Sequence, residues 1–173
     1  MKNNPHNHSN ETPKTSKRRL MVGVIGGSRV EPQIENLARK LGRGIAERGY
    51  ILVCGGLGGV MEAACRGALE AGGVTVGILP GDSRGSANPY VSIPVVTAMS
   101  HARNAVIVRT ADILVAVDGR YGTLSEIALA RAVGKRVLGL YTWEDIPGVE
   151  AKSSVGEVLR EVSAYESGSP AGL

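Results

Sequence analysis

A doubly wound parallel α/β sheet in a single domain is the fold this sequence predicts. Three observations carry that reading: short apolar runs alternate with longer segments of helical periodicity, three of the runs end in glycine-rich turns, and 173 residues suit one core. Leu20 to Ile25 is a continuous apolar run closed by Gly26 and Gly27, the pattern of a strand buried on both faces. From Pro32 to Arg48 the apolar positions Ile34, Leu37, Ala38, Leu41 and Ile45 recur at helical spacing, with Pro32 where the first turn needs no N–H and Gly49 at the end. The alternation repeats as strand Tyr50 to Cys54, helix Val60 to Ala71, strand Val74 to Leu79 and, beyond a Pro-, Gly- and Ser-rich loop, a short strand around Val91 to Val95. A helix from Met99 to Thr110, a strand from Asp112 to Val117, a helix from Thr123 to Val133 and a strand from Arg136 to Tyr141 complete the regular part. These runs predict a sheet of six to seven strands, and helical crossovers between them require parallel pairing. Gly148 to Ser154 reads as a loop, Val155 to Val162 as a short last helix, and residues 167–173 as a fraying end.

Charge does not make this a nucleic-acid protein. The formal +4 and the pI near 9.3 come from residues 1–19, where Lys2, Lys14, Lys17, Arg18 and Arg19 face only Glu11. Of the chain's 20 basic and 16 acidic residues, that leaves 15 of each for the rest. The segment is polar and almost without large apolar side chains, so it is expected to be a disordered tail, with residues 20–166 as the folded domain. With no Phe, one Trp and five Tyr, the chain lacks the aromatics of a base-stacking platform. Cys54 and Cys65 lack the spacing of a zinc site or a disulfide framework and read as small buried residues. Lys17-Arg18-Arg19 ahead of Leu20 to Ile25 is too short an apolar run for an export signal, and no stretch approaches the roughly 20 residues of a membrane span. A cytoplasmic protein, bound neither to nucleic acid nor to membrane, is expected.

In an open parallel sheet the ligand crevice lies beyond the carboxyl ends of the strands, where helix N-termini offer free N–H groups to anions. Three strand ends here are glycine-rich: Gly26-Gly27-Ser28, Gly55-Gly56-Leu57-Gly58-Gly59, and Asp118-Gly119-Arg120-Tyr121-Gly122-Thr123. Each alone is accounted for by a tight turn. Together at one edge they point to a phosphate site. Gly23-Val-Ile-Gly26-Gly27-Ser28 is not the dinucleotide fingerprint, and no P-loop motif occurs.

Gly55-Gly56-Leu57-Gly58-Gly59-Val60-Met61 resembles the GGxxGxM segment of the Lonely Guy (LOG), or lysine-decarboxylase-like, proteins, and Gly122-Thr123-Leu124-Ser125-Glu126 resembles the end of their PGGxGTxxE segment. The stretch from Met99 to Asn104, ahead of the second of these segments, resembles more closely the branch that includes the molybdenum-cofactor carrier proteins. The resemblance runs from Leu20 to Tyr141. It implies a Rossmann-like sheet, a homodimer or higher homo-oligomer, and a phosphorylated small-molecule ligand, either molybdenum cofactor or a nucleoside monophosphate. Two departures matter: Asp118, Gly119 and Arg120 stand where the family has its Pro-Gly-Gly, and the Arg-Lys pair of the hydrolytic LOG enzymes is Arg103-Asn104.

The ligand-binding candidates are therefore Gly26, Gly27, Ser28, Gly55, Gly56, Gly58, Gly59, Met61, Arg103, Gly119, Arg120, Tyr121, Gly122, Thr123 and Glu126. No clustered metal ligands are legible. Each charged candidate has a structural alternative. Thr123 and Glu126 form the T-x-x-E of a capping box. Arg103 lies beside the apolar set Met99, Ala102 and Val106, as a solvated helix edge would. Arg120 has Asp118 within reach for a salt bridge. His101 is a lone histidine on a helix, and Asp82, Ser83 and Arg84 read as a turn or as a flap over the ligand. If the chain is an enzyme, the resemblance makes Arg103 and Glu126 catalytic in a nucleoside 5′-monophosphate phosphoribohydrolase. If it is not, the same site makes a nucleotide- or pterin-holding carrier, or a ligand-sensing domain without turnover.

Overall fold

The computed structural model describes residues 18–143 and 145–168. The expected tail falls almost wholly outside that range. The chain forms β1 (Met21–Gly26), α1 (Pro32–Glu47), β2 (Ile51–Cys54), α2 (Val60–Glu70), β3 (Val74–Leu79), β4 (Ile93–Val96), α3 (Asn104–Thr110), β5 (Ile113–Val117), α4 (Tyr121–Ala132), β6 (Val137–Leu140), β7 (Val149–Ala151) and α5 (Val155–Gly168). All seven strands pair in parallel, in the order β4-β3-β2-β1-β5-β6-β7. The chain builds outward from β1 in one direction and then resumes at β5 on the other side of β1. The switch point therefore falls between the carboxyl ends of β1 and β5, where Gly26 pairs with Val117.

Strand pleating divides the core. Val22 and Val24 join the layer that packs Leu41 and Ile45 of α1, Ala64 and Cys65 of α2 and Val158 and Val162 of α5. Ile25, Val53, Leu114 and Ala116 face the opposite layer, against Ile107 and Val108 of α3 and Ile127 and Ala130 of α4. Helices α1 and α2 touch backbone to backbone: a β-carbon at Gly42 would run into the Ala64 carbonyl, and one at Gly67 into the Arg39 carbonyl. That contact fixes where α2 begins, and with it one wall of the crevice.

The largest departures from the sequence reading have physical reasons. The loop expected from Gly148 to Ser154 contains β7, recruited to the edge of β6 by ion pairs. Arg136 grips Glu150 through two bonds of 2.6 and 2.7 Å and also meets Glu161 of α5. A three-residue strand held by side-chain charge has no apolar alternation to betray it. The last helix continues through Ser167 to Gly168, past the expected stop at Val162, and residues 169–173 lie outside the described range. The helix expected from Met99 to Thr110 is broken. Ala98 and Ser100 take positive φ of 52° and 49°, their N–H groups donate to Gly81 and Pro80, a 3-10 turn spans Ser100–Arg103, and only then does α3 begin.

Candidate functional site

At the switch point lies a crevice of about 550 Å³. The end of β1 contributes Gly26, Gly27, Ser28 and Arg29, the end of β2 contributes Gly55, and α2 contributes Met61. From the other side come His101, Arg103 and Asn104, then Asp118, Arg120, Gly122, Thr123 and Glu126. A second groove of about 350 Å³ runs between α1 and α2, but its Arg39 and Arg66 are already paired with Glu70. The buried Arg103 donors that lack a partner belong to the first.

The Gly55–Gly59 loop is shaped by backbone demands. At Gly59 φ is +65°, and a β-carbon would run into the Gly27 carbonyl; that same carbonyl accepts the Val60 N–H at 2.9 Å, joining the first turn of α2 to the β1 loop. Asn88 is the strut that sequence reasoning missed. It is 8% exposed, its N–H donates to Gly56 O at 2.8 Å, and its Nδ2 donates to Leu57 O at 2.9 Å. No motif marks it, because it acts across 31 residues of sequence on a loop it never adjoins.

At the facing wall, α4 begins at Tyr121 with Arg120 at the cap position, and no side chain caps it. The capping-box alternative for Thr123 and Glu126 is therefore not realised. Helix onset two residues earlier places both side chains inside the helix, where they turn toward the crevice at 3% and 8% exposure. The N–H groups of Tyr121, Gly122 and Thr123 occupy the positions that lack intrahelical acceptors. Thr142 donates its hydroxyl to the Asp118 carbonyl at 2.7 Å, holding the loop at a residue with φ of +50°.

Arg103 departs furthest from its bland alternative. The tighter winding of the 3-10 turn carries its side chain inward, so it is 8% exposed and not a solvated edge. Its guanidinium lies so close to Gly55 that a β-carbon there would meet Nη1 and Nη2, and Nε and Nη1 are buried without a hydrogen-bond partner. Burial pulls the Arg103 pKa below the ordinary arginine value, with the charges of Glu126 and Cys54 working against that pull. Across the crevice, burial pushes the Glu126 carboxyl up to about 7, and the Arg103 charge only partly offsets it. Next to Arg103, Asn104 donates through Nδ2 to Ser125 Oγ at 3.1 Å, and that hydroxyl donates to Gly122 O at 2.7 Å. Asn104 thus ties α3 to the first turn of α4, where the hydrolytic LOG enzymes carry a cation.

The remaining candidates sort by position. Gly56, Gly58, Gly59 and Gly119 shape the loops without lining the crevice. Tyr121 is 81% exposed and turned toward Trp143, with ring centroids 6.3 Å apart. Arg120 and Asp118 both line the crevice without forming the ion pair that the sequence left open. Ser83 accepts from Gly85 N–H in an ordinary turn, and Asp82 and Arg84 with it stay off the crevice wall. Among the described residues no group of three or more His, Cys, Asp or Glu could hold a metal ion, and no helix is long and apolar enough to cross a membrane.

Comparison with known proteins agrees with this fold. Residues 19–167 match the family model described as the SLOG cluster4 family. An uncharacterised protein of Archaeoglobus fulgidus is 46% identical over 121 residues, which is 70% of this chain and 80% of that protein. The molybdenum cofactor binding protein of the phototrophic bacterium Rippkaea orientalis superposes with a TM-score of 0.82 at 32% identity, covering 87% of this chain and 99% of its own. The molybdenum cofactor carrier protein of Chlamydomonas reinhardtii gives 0.81 at 34% identity, with the same coverage.

Proposed function

The chain belongs to the SLOG cluster4 family, within the LOG-like superfamily, and from that premise and the crevice we propose that it is a ligand-binding protein that holds a phosphorylated nucleotide or pterin, as a molybdenum cofactor carrier does. One observation carries the reading: a buried guanidinium with two unmet N–H groups faces the uncapped start of a helix. Leaving such donors unmet costs about 1–3 kcal/mol, a cost a phosphate monoester removes by accepting from them. The oxygens of the phosphate take Arg103 Nε and Nη1 and the N–H groups of Gly122 and Thr123, with Arg29 and Arg120 adding charge at the mouth. These residues fit the phosphate end of a pterin cargo as well as that of a nucleotide. A bound molybdenum cofactor supplies the redox metal that an acceptor enzyme needs, and the work of this chain is to hold and shield it.

Gly122 provides the test. A β-carbon there meets no protein atom within 4 Å, so Gly122→Val is expected to melt like the wild type while losing affinity for phosphate monoesters such as AMP. A variant that binds AMP as tightly as the wild type places the phosphate elsewhere.

A second reading rests on Glu126. A buried carboxyl titrating at about 7 opposite an arginine is poised for proton transfer, as N-glycosidic hydrolysis of a nucleoside 5′-monophosphate requires. Free base released from AMP, and lost in Glu126→Gln, would establish turnover.

A further inference from the structure

Cys54 and Cys65 are the chain's two cysteines, and the anion site uses neither. Cys54 ends β2 and adjoins Gly55, whose backbone lines the crevice; Cys65 lies one turn beyond Met61 on α2, and Met61 lines it as well. Both side chains are fully buried and their sulfurs are 3.5 Å apart, so the pair sits one layer behind the crevice wall. Among the described residues no third ligand joins these two soft donors, so they do not make a tetrahedral metal site. Two thiols in contact do make a dithiol.

The two sulfurs are not equivalent. The Gly56 N–H donates to Cys54 Sγ at 3.3 Å, which favours negative charge on Cys54 and a thiol proton on Cys65 in the contact between the two sulfurs. The Cys65 thiol is the chief influence lowering the Cys54 pKa, helped by the Gly56 N–H and the charge of Arg103 and opposed by burial. The same hydrogen bond, together with burial, raises Cys65. A nucleophile and a resolving thiol are thus already in contact.

We propose that Cys54 and Cys65 form a reversible dithiol–disulfide site in the crevice wall, oxidised by a small hydroperoxide entering through the crevice and read out as ligand affinity. The Cys54 thiolate attacks one oxygen of hydrogen peroxide, the O–O bond breaks, and the departing hydroxide takes a proton to leave as water. Cys54 is now a sulfenic acid. The Cys65 sulfur attacks it, the S–O bond breaks, and the sulfenic oxygen leaves as a second water with the Cys65 proton. Two thiols have lost two electrons and two protons to one peroxide. An external dithiol reverses the change.

Closing the bond brings the sulfurs from 3.5 Å to about 2.0 Å, which draws the end of β2 toward α2. Gly55, next to Cys54, backs on the Arg103 guanidinium, and the negative charge of Cys54 beside that guanidinium disappears. The oxidised form therefore holds anions more tightly, because a bound anion no longer competes with the thiolate for that guanidinium. This effect on affinity rests on the anion-site reading, whereas the bond itself does not.

The test treats the full chain with hydrogen peroxide, measures intact mass before and after dithiothreitol, and titrates each form with AMP. The expected result is a loss of two hydrogens that dithiothreitol restores, an AMP affinity higher by about tenfold in the oxidised form, and slower oxidation when AMP occupies the crevice. Cys54→Ala, which lacks the nucleophile, is expected to form no bridge and to keep its affinity through the same treatment. An unchanged mass with both thiols still titratable, or a bridge that leaves AMP affinity unaltered or lowers it, overturns the proposal. Reduced protein that takes no AMP fails the anion-site reading instead, and the mass change then decides the thiol site by itself.

Discussion

Glu126 is where a single proton couples the site to stability. Its carboxyl titrates near 7 in the folded chain against an ordinary value of 4.5, because burial disfavours the anion more than Arg103 favours it. Between those values the native state binds a proton that the unfolded chain has released, so stability falls as pH rises from about 4.5 to about 7 and the loss is complete above that. The two pKa values set its size at about 3 kcal/mol. Glu126→Gln has no such proton to lose. Urea denaturation across that range is expected to show the wild type losing about 3 kcal/mol relative to the variant, and parallel pH profiles would mean the carboxyl is ionised throughout. At this scale the sequence is least informative. Thr123 and Glu126 stand in the spacing of a capping box, and only the onset of α4 at Tyr121 shows that they turn inward instead.

Among the elements, the glycine loops read directly from the sequence and their support does not. A run of Gly55 to Gly59 after a strand announces close backbone approach, whereas the Asn88 that holds it belongs to the loop before β4 and carries no local signal. Asn88→Ala removes the donor to Leu57 O and the acceptor of the Tyr90 N–H inside a buried site. The expected cost is about 1–3 kcal/mol in denaturant midpoint experiments, with weaker AMP binding as the loop loosens. Unchanged stability would show the loop to be held by its glycine geometry alone. The break before α3 was hidden for a related reason. Periodicity averages over a turn, and two residues with positive φ, Ala98 and Ser100, are invisible to it. Regular strands and helices were legible because apolar runs and 3.6-residue spacing record burial, while β7, secured by Arg136 and Glu150, was not.

For the molecule as a whole, the sheet order decides where chemistry can occur, since reversal of direction at β1 and β5 opens the crevice that the three glycine-rich ends surround. The opposite feature of an open sheet is its edge. Ile93, Val95 and Val96 on β4, with Met99 beside them, are exposed apolar side chains along an edge strand, a surface that a second copy of the chain would cover. Sedimentation at micromolar concentration is expected to show a dimer or larger species, and monomer alone would contradict it. The central claim, that a buried cation and a helix start together form a phosphate cradle, is tested most directly by calorimetric titration of the wild type with AMP and with adenosine. A preference for the monophosphate of about 1.5–3 kcal/mol, abolished in Arg103→Ala, is the predicted result. Equal affinity for the two ligands would contradict the account.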